Sequence, residues 1–164
     1  MYNINRYKSL FEEIVISTWD DEVITSKFKN FCKNEKKVKI YQFKKNKNLL
    51  LGKKIIKSNY TRSFNNLVQY TGCFLGIQKI VSSQYVVRIR TDQIIDIENI
   101  ISQLINIKNK IFVPGFYYKN NFFQIEDFYF AGKKKLLENF FKISSKIFII
   151  DLLKLTPHLL TCFF

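Results

Sequence analysis

Histidine, proline and glycine are scarce in this chain, and its few cysteines follow no metal-binding spacing. The 164 residues include one His, two Pro, five Gly and three Cys. Cys32, Cys73 and Cys162 are odd in number, widely separated and without a C-x-x-C pair. That argues against a zinc cage and against a secreted disulfide framework, and it fits a reducing compartment. No G-x-x-x-x-G-K-[ST], G-x-G-x-x-G or H-E-x-x-H string occurs, so the common phosphate loops and zinc helices are excluded. His158 lies in the apolar C-terminal tract with no nucleophile or orienting acid beside it, and it reads as structural. Long apolar runs are missing as well. The N-terminus, MYNINRYKSLFEEIVIS, has no signal-peptide core. The tract Ile147 to Phe164 is broken by Asp151, Lys154, Pro157 and His158, too interrupted for a span of about 20 residues. The expectation is a cytoplasmic, soluble protein.

What is present is a core-forming composition. Hydrophobic residues make up 47% and charged residues 24%, enough apolar surface to fold without staples and too much for disorder. The length suits one domain over 1–164. Net charge is +14, from 27 basic and 13 acidic residues. Four of the basic residues are Arg (Arg6, Arg62, Arg88 and Arg90) and the rest are Lys. Arg dominates specific phosphate and base recognition, so a Lys excess in a chain rich in Ile, Asn and Phe reads first as solvation and composition bias, and nucleic acid as a partner is disfavoured. The excess is nevertheless localised: Lys27 to Lys57 holds 12 Lys and one acid, Glu35. Such a surface attracts phosphates or acidic head groups over about 8 Å in physiological salt.

Along the chain, strand-like and helix-like patterns take turns. EIVIST (13–18) is a short β-branched run. Asp20, Asp21 and Glu22 then precede a helical face of Val23, Ile24, Phe28 and Phe31, and acids at its start suit the helix dipole. VKIYQF (38–43) alternates as a half-exposed strand does. Ser63 to Ser83 has a helical face in which Gly72 and Gly76 stand four apart. Each glycine costs about 1 kcal/mol of propensity, which predicts a close-packed neighbour. YVVRIRT (85–91) reads as a strand, Asp96 to Ile107 as a helix, and Lys110 to Val113 as a strand ending at Pro114-Gly115. Phe122 to Phe130 reads as another strand, with Gly132 opening a Lys-rich helix. The alternation predicts an α/β Rossmann-like three-layer sandwich with a mostly parallel sheet.

In such sheets ligands bind beyond the carboxyl ends of the strands. That rule selects Ser17-Thr18-Trp19-Asp20 after the first strand and Arg90-Thr91-Asp92 after YVVRIRT. A carboxylate beside an Arg at a strand end suits a sugar hydroxyl or a metal-bound diphosphate; the plainer alternative for Asp92 is a salt bridge or a helix cap. Trp19 fits core packing as well as stacking on a base or sugar. Glu126 and Asp127 are adjacent on an expected strand and so face opposite ways. At most one of them serves a given site.

Four segments in this order resemble the WavE-type lipopolysaccharide synthesis family of bacterial glycosyltransferase-like proteins. They are IVISTWDDE (14–22), NNLVQYTGCFLGIQKI (65–80), YVVRIRTD (85–92) and EDFYFAGKKKLLENFF (126–141), within a family-like region of 13–141. The resemblance implies a GT-A-like fold holding a nucleotide-sugar donor at the sheet's carboxyl edge. It implies that Ser17, Thr18, Trp19, Asn66, Gln69, Arg90 and Thr91 line the donor. Asp92 would be catalytic and the ligand of Mn2+ or Mg2+, and Asp127 the base near a glycan or lipid-linked acceptor at the inner membrane. Val68 stands where the family usually has Arg, and R-T-D stands in place of a full D-x-D. The family continues beyond DFYFAG into an acceptor-side portion, so 142–164 reads as a truncated continuation. Two alternatives follow: an inactive remnant of the transferase, and a non-enzymatic basic module binding nucleic acid or an anionic surface through Lys27 to Lys57.

Overall fold

The computed structural model describes residues 2–45, 61–104, 106, 109–114, 116–117, 124–125 and 129–147. Its elements run α1 (Tyr2–Tyr7), β1 (Ile14–Trp19), α2 (Ser26–Asn34), β2 (Val38–Phe43), α3 (Thr61–Gln78), β3 (Tyr85–Ile89), α4 (Ile97–Leu104), β4 (Ile111–Phe112), β5 (Phe116–Tyr117), β6 (Gln124–Ile125), β7 (Tyr129–Lys133) and α5 (Lys134–Ile147). The architecture is mixed α/β. β1 and β2 form a parallel pair with Ile14 opposite Val38. β7 lies between β3 and β4 and is antiparallel to both, and β5 pairs antiparallel with β6.

The sheet therefore departs from the mostly parallel expectation: one of the four pairings among the described strands is parallel. A parallel neighbour needs a long crossover, usually helical. The β1–β2 connection supplies α2, whereas the chain between β4 and β7 carries the β5–β6 pair. Gly132 also departs from its expected place. It sits within β7 opposite Val86 and Ile111, and a Cβ there would come 3.0 Å from the Lys110 carbonyl, so the central strand needs a bare backbone at this point.

Helices cover the antiparallel sheet on both sides. Phe130 of β7 packs with Leu137, Phe140 and Phe141 of α5 and with Tyr70 and Ile77 of α3. Its neighbour Ala131 meets Ile100 and Leu104 of α4, as the alternation of a strand requires. Phe130, Leu137 and Phe141 are all but fully enclosed.

Helix α3 sets the direction of the strands beside it. A Cβ on Gly72 would touch Trp19, one on Gly76 would touch Ser17, and the Val81 amide after the helix donates to Glu13. β1 thus runs against α3. So does β3: the Ser83 hydroxyl before it donates to Glu12, and Arg88 near its end donates to Cys73 of α3. β1 and β3 point the same way on either side of a cleft, with no hydrogen-bonded pairing between them. Among the described residues, no helix is long and apolar enough to cross a membrane.

Candidate functional site

The cleft between β1 and β3 has a volume of about 920 Å³ and opens to solvent. That is in the range of sites that take drug-sized ligands. Its walls are β1, β3 and α3, with α1 contributing Asn3, Ile4 and Tyr7.

At the carboxyl end of β1, the Ser17 hydroxyl donates to the Gly72 carbonyl at 2.6 Å, and Thr18 donates to the Glu22 carboxylate. The turn that follows is tied to the end of β2. The Gln42 amide donates to the Trp19 and Glu22 carbonyls at 3.5 and 3.3 Å. The Lys45 amide donates to Asp20 at 3.1 Å, and its ammonium pairs with Asp21 at 2.8 Å. These acids do not start α2, as the sequence pattern had suggested. Thr25 caps that helix, its hydroxyl accepting from the Phe28 amide, because a short side-chain oxygen reaches the third amide of a first turn.

At the end of β3, Arg90 grips Asp92 with two hydrogen bonds, Nε to Oδ1 at 3.0 Å and Nη2 to Oδ2 at 2.8 Å. The Arg90 guanidinium holds the Asp92 carboxyl below its ordinary value of 3.8. Both side chains are well exposed, and an exposed pair of this kind contributes little to stability. It can therefore be exchanged for a ligand at little cost.

Of the residues singled out in the sequence, Ser17, Thr18, Trp19, Gln69, Thr91 and Asp92 line this one cleft. Arg90 stands beside it through Asp92. Asn66 falls in α3, and its side chain lies outside the described residues, as do Asp127, Glu126 and His158. Trp19 is 4% exposed and belongs to the main core cluster. Its ring packs along α3, so its part in the cleft is to shape the wall.

Arg88 was not singled out in the sequence, yet it lines the cleft. Its Nε donates to Cys73 Sγ at 3.2 Å, and its guanidinium lies 5.8 Å from the centre of the Phe130 ring. The signal was available, since Arg88 and Arg90 are two apart and share one face of an extended segment.

For a metal, Asp92 offers a carboxylate with both oxygens already engaged by Arg90. Among the described residues no three His, Cys, Asp or Glu side chains gather as a cation site. Mg2+ takes about six oxygens, commonly one or two carboxylates with phosphates and waters, so Asp92 would have to leave Arg90 to serve as one of them. Compared with known proteins, the chain matches no family model, no curated sequence and no solved structure.

Proposed function

We propose that the chain is a glycosyltransferase-like protein of surface-polysaccharide synthesis that binds a nucleotide-sugar donor between β1 and β3. One observation carries the reading. Residues drawn from three separate segments, Ser17 and Thr18, Gln69, and Thr91 and Asp92, line a single cleft beside two arginines. Parallel strands flanking a cleft, one connected through α2 to β2 on one side and the other reached through α3, resemble the switch point of a doubly wound sheet. There the carboxyl ends of strands receive nucleotides. A Rossmann-like sheet in the order β2-β1-β3-β7-β4 is the finer arrangement this reading carries.

The chemistry follows from the groups present. The donor diphosphate displaces Asp92 from Arg90, and the guanidinium forks onto phosphate oxygens as it did onto the carboxylate. Arg88 adds a second positive charge to the same wall. Asp92, released, accepts hydrogen bonds from ribose or sugar hydroxyls. When the acceptor oxygen bonds to the anomeric carbon, the bond to the diphosphate breaks and its charge falls on Arg90. The acceptor proton passes to a carboxylate, a role the family resemblance gives to Asp127. The acceptor is a glycan or glycolipid.

A second reading has its own observation. Lys27, Lys29, Lys33 and Lys36 are exposed on and just after α2, and no acid among the described residues forms a salt bridge with them. A basic module acting through these lysines would bind anionic surfaces with an affinity that falls steeply with salt and ignores Asp92.

A thermal-shift panel separates the two. It comprises uridine, guanosine and thymidine diphosphates, cytidine monophosphate and their sugar esters, with and without manganese, on wild type and Asp92→Asn. A ligand at 100 times its Kd adds about 2.7 kcal/mol. The transferase reading expects a rise of several degrees with one base, weakened in Asp92→Asn. A cooperative melt that no nucleotide moves would overturn it.

A further inference from the structure

The loop that carries Thr91 and Asp92 is fastened from the far end of the chain. Asn3 Nδ2 donates to the Thr91 carbonyl at 2.8 Å and to the Gln93 carbonyl at 2.9 Å. Tyr7 Oη donates to the Ile95 carbonyl at 2.8 Å and accepts from the Ile95 amide at 3.1 Å. These four bonds join one short helix to three residues of the 91–95 loop, Thr91, Gln93 and Ile95, across 88 to 90 positions of sequence. Tyr7 is 5% exposed, and the Arg6 guanidinium lies 5.6 Å from its ring centre.

The arrangement is specific in its chemistry. One phenol satisfies both polar groups of a single backbone residue, and one carboxamide NH2 satisfies two carbonyls two residues apart. Loop backbone lacks the ladder that fixes a strand, so each of its polar groups needs a partner from elsewhere. Local backbone bonds supply some of them, from the Gln93 amide to Arg90 and from the Ile97 amide to Ile95, and α1 supplies partners for the Thr91, Gln93 and Ile95 carbonyls and the Ile95 amide. Asn3 and Tyr7 also line the cleft, so the helix closes one side of the cleft while holding its loop.

We infer that Asn3 and Tyr7 are positioning residues that hold the 91–95 loop in its ligand-ready form, acting on Asp92 through the backbone. The inference rests on the donor-site reading above. It makes α1 part of the binding apparatus, and it means that changes remote from the ligand tune its affinity.

Three variants test it. Tyr7→Phe keeps the ring and removes the hydroxyl. Asn3→Asp keeps the shape and removes the donor, and Asn3→Gln restores a donor. Two readouts are taken on the full chain: amide hydrogen exchange at Ile95 and Ile16, and the Kd for the nucleotide that shifts the wild-type melt. Tyr7→Phe is expected to speed exchange at Ile95 and leave Ile16 in β1 unchanged. It and Asn3→Asp are expected to weaken nucleotide binding about fivefold to tenfold, as loss of one or two positioning hydrogen bonds implies, while Asn3→Gln recovers part of the loss. Wild-type binding retained in both Tyr7→Phe and Asn3→Asp would overturn the inference and leave the donor site standing. A wild type that binds none of the nucleotides overturns the donor-site reading, and the inference falls with it. Equal acceleration at Ile95 and Ile16 would mark Tyr7 as a general stability residue and also overturn it.

Discussion

The two walls of the cleft are held in place by different means. The end of β1 is seated by close packing: Ser17 and Trp19 press against the bare backbone of Gly72 and Gly76, and Trp19 is buried in the main core. The end of β3 is seated by polar tethers from α1, four hydrogen bonds to an exposed loop. A packed wall is rigid and intolerant of volume change, whereas a tethered loop opens at lower free energy and suits a group that must let go of one partner to take another. On the proposed donor-site reading, the difference gives β1 the shaping of the cleft and the β3 loop the exchange of Arg90 between Asp92 and a ligand.

The largest effect should come from the packed wall. Trp19→Ala removes a buried ring and is expected to cost about 3–5 kcal/mol, roughly 6–20 °C in melting temperature for a chain of this size. A Trp that served mainly as an exposed stacking platform would cost far less. A melt close to wild type would therefore break the contrast between the walls.

The two glycines sharpen it. A Cβ at position 76 would fall 2.8 Å from the Ser17 Cβ, which cannot swing away, whereas at position 72 the nearest atoms are 3.6 Å or more distant. Gly76→Ala should lose about 1–3 kcal/mol to overpacking, offset by up to about 1 kcal/mol of helix propensity. Gly72→Ala should be neutral or stabilising by about 1 kcal/mol. Equal melting temperatures for the pair would contradict the packing account.

The opposite end of β1 offers a smaller, pH-dependent test. The Glu13 carboxylate is 6% exposed; it accepts from Lys39 at 2.6 Å and from the Val81 amide at 2.9 Å. The Lys39 bond, then the amide, holds its pKa below the usual 4.5. A carboxyl lowered on folding contributes stability above its unfolded value and loses it as pH falls through the folded value. Wild type should therefore lose about 1 kcal/mol more than Glu13→Gln on going from pH 6 to below pH 4, read by urea melts at each pH. Parallel pH curves would contradict it.

Much of this frame was legible in the sequence, for reasons that differ by element. β1, β2 and β3 stood out because β-branched and alternating residues fill short runs between polar breaks, and α3 showed both its apolar face and its glycine pair. Of the glycine pair, read as a close approach, Gly76 is the one where a Cβ would collide, with Ser17, while Gly72 leaves ordinary contact distance to Trp19. β7 was misjudged because Gly132 resembles a helix opener in isolation, and its need for a bare backbone arises only when β3 and β4 pair on either side. The start of α2 was misjudged because three acids are a more conspicuous signal than Thr25. In the site, strand ends marked Ser17, Thr18, Thr91 and Asp92 by rule. Asn3 and Tyr7 were invisible because their partners are backbone atoms some 90 positions away, and backbone carries no sequence signal.

The most direct measurement is the map of backbone amide shifts in an NMR titration with the nucleotide that raises the melting temperature. The account predicts changes concentrated at Ser17, Thr18, Gly72, Thr91 and Asp92, with Lys27 to Lys36 unmoved. Changes centred on Lys27 to Lys36, or spread thinly without reaching either wall, would contradict a donor site between β1 and β3.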